Sequence, residues 1–187
     1  FQLNSVIGDS MFNEARITYQ TIKEQRQGPS RFPQVTVDVG GGASFRAGTE
    51  RYSTANSLDQ TLIEIHDDLT LVRGDHLFTF GTHNELFAFD NLFIRDNFGA
   101  YSFRSLDDFE RGWAESYDYS FSNTNDPKQA AKFDVRQLGL YAGDQWSVKP
   151  NLTFTYGVRV DVPLYPDKPN RNPDAEALFG YRTDEIA

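Results

Sequence analysis

The strongest constraint on the fold of this chain is a period of two in the residues that follow a predicted turn at 149–151. The apolar members of this run are Leu152, Phe154, Tyr156, Val158, Val160 and Val162, and the residues between them are Thr153, Thr155, Gly157, Arg159 and Asp161. This alternation predicts a β-strand with one apolar and one polar face, because successive side chains of a strand point to opposite sides. Such a strand fits an antiparallel sheet of a soluble protein. It equally fits a transmembrane β-barrel, whose strands cross the hydrocarbon in about 9–11 residues.

Composition narrows the classes of function. The 187 residues contain no Cys, which excludes a disulfide framework, a zinc–thiolate site and a thiol nucleophile. Asp and Glu outnumber Lys and Arg by 27 to 18, so the chain lacks the basic balance that nucleic-acid binding needs. No apolar run approaches the ~18 residues of a membrane helix. The aromatic content of 14% is typical of strands and of the aromatic girdles of membrane barrels.

Short and long connections alternate along the chain. The predicted long strands cover residues 1–7, 11–23, 60–73, 77–89, about 133–148, and 152–162. Turns of about three residues join them in pairs, whereas the segments 24–59 and 90–132 separate the pairs. A compact soluble domain seldom contains an unstructured loop longer than ~15 residues, but outer-membrane barrels combine short periplasmic turns with long extracellular loops. The sequence therefore predicts an all-β fold, with antiparallel strands of an incomplete transmembrane β-barrel and two long extracellular loops.

Two stretches inside the long loops also carry signals of regular structure. Residues 34–39 alternate in the manner of a short strand, and Ser105 followed by acidic residues predicts the start of a short helix in the second loop. The chain starts without Met and ends without a closing strand. We therefore expect an internal piece of a longer protein, in which residues 1–187 form a partial barrel with no plug domain and no signal peptide.

Four segments resemble one family of outer-membrane proteins. One of them, YDYSFSNTNDPKQAAKFDVRQLGLY (117–141), is similar to the loop and strand that precede a hairpin of this family. LGLYAGDQWSVKPNLTFTYGVRVDVP (138–163) is similar to a hairpin of TonB-dependent receptors, although Gly143 stands where Gln is more usual. FNEARITYQ (12–20) and GDHLFTFG (74–81) resemble strands of the Oar-like group, whose members carry an N-terminal carboxypeptidase-regulatory-like domain. The order and spacing of the segments make the resemblance more specific than any single motif.

This resemblance implies energy-coupled uptake through a barrel of about 22 strands in the outer membrane of a Gram-negative bacterium. The energy would come from the inner-membrane proton gradient. The implied partners are outer-membrane lipid, an unknown extracellular ligand, and a plug domain and TonB complex engaged through missing parts of the protein. Two other functions stay open, namely a soluble β-sandwich module that binds carbohydrate and a passive outer-membrane barrel or adhesin.

The second long loop holds the candidate ligand-binding residues Arg95, Tyr101, Arg104 and Trp113. Aromatic and arginine side chains are favoured at recognition surfaces, and here they are interleaved. The alternative is that the aromatic residues only pack the loop over the mouth of a barrel.

Tyr141 and Trp146 are the candidate membrane-interface residues, because they lie close to a short turn, where amphipathic rings anchor strand ends. The alternative for Trp146 is a place in a soluble core. Asp144 shares the parity of Trp146, where a carboxylate facing lipid is costly unless it is near the interface or paired.

Neither a metal site nor a catalytic site is predicted. His66 shares a strand face with other possible ligands, but no complete ligand set is evident. Asp107 and Asp108 fit a solvated loop surface better than an acid pair or a calcium site. The sequence therefore predicts a protein that is not an enzyme and that uses no cofactor, with no nucleic-acid partner.

Overall fold

The structure is a computed structural model that describes residues 1–28, 30–122, 124–169 and 171–182. Its elements in chain order are β1 (Gln2–Ile7), β2 (Met11–Gln25), β3 (Gln34–Gly40), β4 (Ala43–Ala47), β5 (Asn56–Arg73), β6 (His76–Phe93), β7 (Ala100–Phe103), α1 (Leu106–Glu110), β8 (Ser116–Asp118), β9 (Ala131–Lys149), β10 (Leu152–Leu164) and α2 (Pro173–Phe179). Strands dominate, which confirms the all-β prediction. None of the helices in these ranges has the length and hydrophobicity needed to cross a membrane.

The chain divides into two compact units, and each has its own sheet. The sheet unit comprises residues 1–21, 61–88 and 133 onward, and the loop unit comprises residues 22–60 and 89–132. A six-stranded sheet has the order β1-β2-β5-β6-β9-β10, and a four-stranded sheet has the order β4-β3-β7-β8.

The six-stranded sheet consists of neighbouring long strands in chain order, as in an up-and-down barrel. It does not close, so β1 and β10 are its edge strands within the described residues. β5 and β6 have 18 residues each, which exceeds the ~9–11 needed to cross the hydrocarbon. β5 starts four residues earlier than predicted and β6 ends four residues later, so part of the sequence assigned to loops continues the long strands. The prediction of an incomplete antiparallel barrel is confirmed.

In strands β9 and β10, the alternation of apolar and polar residues produces one apolar and one polar face. Their antiparallel register places Phe154 opposite Trp146, and Val160 opposite Leu140. Val158 and Val160 are 65% and 58% exposed, so no layer of the described chain covers the apolar side of β10. An uncovered apolar strand face is what contact with lipid requires.

The two predicted loops fold together in the loop unit. β3 from the first segment pairs in parallel with β7 from the second, and β4 and β8 extend this sheet on either side. The strand predicted at 34–39 is present as β3. The shared sheet was not predicted, because it joins short strands that are far apart in sequence.

Both helices begin with a side-chain cap. Ser105 accepts a hydrogen bond from the backbone of Asp108, as expected for the predicted helix in the second long segment. The helix α2 was not predicted. Asn172 caps its start, Pro173 follows at the first position, and Gly180 ends it in the left-handed conformation.

Candidate functional site

The core of the loop unit lies between the strands and α1. Val35 and Val37 of β3 and Phe103 of β7 are buried together, and Tyr101 packs against them. Phe109 of α1 meets Phe103 edge-on, with ring centroids 5.2 Å apart. The helix therefore covers one part of this apolar sheet face and fixes the second long segment on the first.

A buried ion pair links the two long segments at a second point. The Arg51 Nε donates to the Asp96 Oδ1 at 2.6 Å, and Arg51 Nη2 donates to Oδ2 at 2.7 Å. The Asp96 side chain is 1% exposed, and Arg95 Nε also lies 2.9 Å from its Oδ2. The backbone N–H of Asp96 donates to the carbonyl oxygen of Arg51 at 2.9 Å. A two-pronged pair of this kind fixes orientation as well as distance.

The local chain geometry and charge support this pair. Asp96 has a φ of 57°, a left-handed conformation that Asp adopts more readily than most residues. The hydrogen bond to Asp96 raises the pKa of Arg51 above its ordinary value, and Asp118, 3.2 Å from Nη2, raises it further. The guanidinium therefore stays charged at every physiological pH.

Exposed aromatic side chains continue from the core across the loop unit. We call the following set the aromatic row: Tyr101, Tyr117, Tyr119 and Phe121. The ring centroids of Tyr101 and Tyr117 are 4.5 Å apart across paired strands, and those of Tyr119 and Phe121 are 5.6 Å apart. Tyr117, Tyr119 and Phe121 are each more than half exposed. Large rings held in order on a surface are suited to contact a ligand, because little side-chain entropy is lost on binding.

Within this row, Tyr117 lies between the rings of Tyr101 and Tyr119. Desolvation raises the pKa of Tyr117, and the neighbouring Tyr101 and Tyr119 raise it further. The Tyr117 hydroxyl is thus neutral at physiological pH and can both donate and accept a hydrogen bond.

The four candidate ligand residues all lie in the loop unit, but they do not form one cluster. Tyr101 belongs to the aromatic row, and Arg95 contacts Asp96. Arg104 pairs with Glu115 at 3.0 Å. Trp113 is 63% exposed, and the guanidinium of Arg111 lies 5.2 Å from its ring centroid. No hydrogen bond, ion pair or ring contact joins any two of the four within the described ranges, and their role in ligand binding stays a prediction.

Sequence reasoning did not single out Tyr117, Tyr119 and Phe121 as a set. The signal was present, because the three aromatic residues stand at every second position. In an extended segment this spacing places their side chains on one side.

In the sheet unit, the polar face of the six-stranded sheet carries a hydrogen-bonded chain. Arg16 Nη2 lies 2.9 Å from Nδ1 of His66. An arginine can only donate, so Nδ1 accepts and the proton of a neutral His66 is on Nε2. This Nε2 lies 2.9 Å from the Tyr141 hydroxyl, which in turn donates to Asp68. The polar face is therefore organised by contacts between β2, β5 and β9.

A glycine makes room for this chain of contacts. A Cβ atom at Gly81 would overlap the ring of Tyr141 and the carboxylate of Asp68. A second ion pair, between Arg159 and Asp161, lies on the same face, and the guanidinium of Arg159 is 5.6 Å from the Tyr141 ring centroid. Close packing over glycine is a common reason for that residue inside a strand.

The fold and these contacts agree with the comparison against known families. A family model described as "Outer membrane beta barrel domain" matches residues 2–176. The chain belongs to the outer membrane beta barrel domain family. No curated protein and no solved structure matches it. The family places this barrel domain in the bacterial outer membrane rather than among soluble sheets. In outer-membrane barrels the apolar strand face is the one that contacts lipid.

On the apolar face of the barrel domain, Asp144 is paired rather than isolated. Its Oδ2 lies 2.7 Å from Nδ1 of His76 and accepts a hydrogen bond from Tyr156 at 2.7 Å. The carboxylate is only 5% exposed, because the stacked rings of His76 and Trp146 lie beside it. Neighbouring strands thus shield this carboxylate from lipid and bond its Oδ2, while its buried Oδ1 has no hydrogen-bond partner among the described residues.

The two candidate interface residues lie on opposite faces of the barrel domain. Trp146 pairs with Phe154 on the apolar face, whereas Tyr141 pairs with Arg159 on the polar face. The placement of Trp146 fits contact with the membrane interface, which stays a prediction. The hydroxyl of Tyr141 is bonded within the polar face, and its role at the membrane interface likewise stays a prediction.

Proposed function

We propose that this outer membrane barrel domain forms part of a TonB-dependent transporter, which takes up a ligand with energy from the inner-membrane proton gradient. The observation that carries the proposal is the loop unit. Its two long segments share a sheet, a core and a buried ion pair, and they present the aromatic row at their surface. The resemblance of residues 138–163 to a TonB-dependent receptor hairpin supports the same function.

The loop unit fits the task of capturing a dilute ligand. A folded surface binds with a smaller loss of conformational entropy than two separate flexible loops. Tyr119 and Phe121 offer exposed ring surface, and Trp113 lies beside the guanidinium of Arg111, which also forms an ion pair with Asp107. We infer that the ligand first contacts these side chains on the extracellular side of the membrane, where long loops of outer-membrane barrels lie.

The sheet unit supplies the wall of the proposed transporter. Its apolar face contacts outer-membrane lipid. Its polar face, organised around Tyr141, faces the inside of the barrel. A plug domain and the TonB complex would act through other parts of the protein. The proposal includes no catalytic step and no nucleic-acid partner.

A passive barrel would have the same kind of wall. The test must therefore separate uptake that needs the proton gradient from passive diffusion. Bacteria with and without the full-length gene are grown in one medium, and mass spectrometry follows the solutes that disappear from it. We expect at least one solute whose uptake needs the gene and stops when a protonophore collapses the proton gradient.

The variant pair Tyr119→Ala/Phe121→Ala tests the role of the aromatic row, with Thr124→Ala as a control in the same segment. The pair is expected to slow uptake of that solute at low concentration, and the control is not. Gene-dependent uptake that continues without the gradient would favour the passive barrel. A gene whose loss changes no solute would refute transport.

A further inference from the structure

A second group of polar side chains on the polar face is not part of the contacts described above. Glu64 of β5 and His83 and Glu85 of β6 bring one ligand atom each to within 4.8 Å of the others. All three residues are half-buried, and β5 and β6 are neighbours joined by a two-residue turn. The sheet therefore holds two carboxylates and an imidazole together on rigid strands.

These carboxylates form no ion pair with an arginine or lysine of the described residues, although Arg159, which is paired with Asp161, also interacts electrostatically with Glu85. Among the described residues, no arginine or lysine nitrogen lies within 4.0 Å of Glu64 or Glu85. The nearest pairing is His83 Nε2 at 3.8 Å from Glu85 Oε1, which is beyond hydrogen-bond distance. By contrast, Asp161 on the same face is held by Arg159 at 2.8 Å. Like charges on adjacent strands destabilise a sheet unless a cation lies between them.

We propose that Glu64, His83 and Glu85 bind a divalent first-row transition-metal ion. The two carboxylates supply the charge that balances such an ion, and a neutral imidazole is a preferred ligand for zinc and its neighbours. None of the three ligand atoms is sulfur, so soft ions such as Cu(I) are disfavoured. Metal–ligand distances of about 2.0–2.2 Å need the three atoms to move slightly closer together, which rotations of the two Glu side chains allow.

His66 does not serve as a fourth ligand. Its ring centroid is 5.4 Å from that of His83, but its Nδ1 faces Arg16 and its Nε2 faces Tyr141. It packs beside His83 and restricts the position of that ring. Three protein ligands leave one coordination position open, which suits an ion that exchanges with solvent or with a bound solute.

The test measures zinc binding by the full-length protein in detergent after chelator treatment, using isothermal titration calorimetry. His83→Gln is compared with His76→Gln, which removes an imidazole from the opposite face of the same strand. We expect His83→Gln to lose one zinc equivalent relative to the unchanged protein, or to weaken that site at least 10-fold. His76→Gln should keep it.

The double variant Glu64→Gln/Glu85→Gln provides a second test if His83→Gln does not fold. It should also lose the same equivalent, and zinc should raise the unfolding temperature of the unchanged protein but not of this variant. Zinc binding that is equal in all the proteins, or absent from the unchanged protein at 100-fold excess of the ion over protein, would overturn the proposal. Neither result would affect the transport function proposed above, since that function rests on the loop unit.

Discussion

Removing the negative charge of Asp96 should loosen the loop unit while leaving the barrel sheet intact. Asp96→Asn keeps the size of the side chain, and Asn also tolerates the left-handed backbone found there. The change converts a two-pronged ion pair into contacts between two guanidinium groups and a neutral amide. The guanidinium of Arg51, 23% exposed, then lacks its buried counter-charge.

The magnitude follows from the burial of the pair. Breaking a buried ion pair by removing one partner costs about 3–5 kcal/mol. Because Arg51 keeps some contact with water and also touches Asp118, we expect the lower limit, about 3 kcal/mol. That loss corresponds to roughly a 100-fold increase in the equilibrium for opening of the loop unit.

Hydrogen exchange followed by mass spectrometry measures this opening. Peptides covering β3 and β7 should exchange roughly 100-fold faster in Asp96→Asn, while peptides from β9 and β10 should not change. Glu115→Gln is the matched control, because it removes a carboxylate from an exposed ion pair with Arg104 and should have little effect. Unchanged protection of β3 in Asp96→Asn, or an equal effect in Glu115→Gln, would refute the reasoning.

Three further predictions concern the barrel sheet and the charge of the ion pair. Val158→Arg should destabilise the folded barrel by about 2–4 kcal/mol, because it places a charge in lipid, whereas Thr155→Arg on the polar face should cost much less. Urea titrations read by gel mobility measure both losses of stability, and equal losses would contradict the assignment of faces. Lipids brominated near the headgroup should quench Trp146 but not Trp113, as single-tryptophan variants will show, and the reverse order would contradict the proposed interface. The raised pKa of Arg51 means that its stabilising contribution is present below its ordinary pKa and is lost only in stronger alkali. Protection of β3 between pH 6 and 9, after correction for intrinsic exchange rates, should therefore stay constant, and a large drop would contradict this.

The barrel strands were predictable because their signal is local. Alternation in residues 152–162 shows the two faces of β10 without any knowledge of its partner. The short turn before β6 indicated that β5 and β6 pair, and the long segments between the strand pairs indicated the loops of a barrel. The helix α1 was likewise predictable from Ser105 and the acidic residues that follow it.

The shared sheet of the loop unit was not predictable in the same way. β7 has four residues and β8 has three, which is too short for a pattern of period two to stand out. The parallel pairing of β3 with β7 joins residues more than 60 positions apart, as Gln34 opposite Ala100 shows. Asp96 gives no sign in the sequence that it will be buried beside two arginines, since that depends on the folded arrangement of both segments.

The placement of Tyr141, unlike that of Asp96, could have been found from the sequence. It lies five residues before Trp146, and an odd separation in a continuous strand puts two side chains on opposite faces. Residue type favoured an interfacial role for both rings, but parity decides which of them meets lipid. The same reasoning places Asp144 on the apolar face with Trp146, although a carboxylate is not expected on a strand face that meets lipid. Its contacts with His76 and Tyr156 show how that position is tolerated, because the polar groups that bond its Oδ2 come from the strands on either side. In a barrel wall, parity therefore assigns the face, and cross-strand neighbours determine whether an unexpected residue can occupy it.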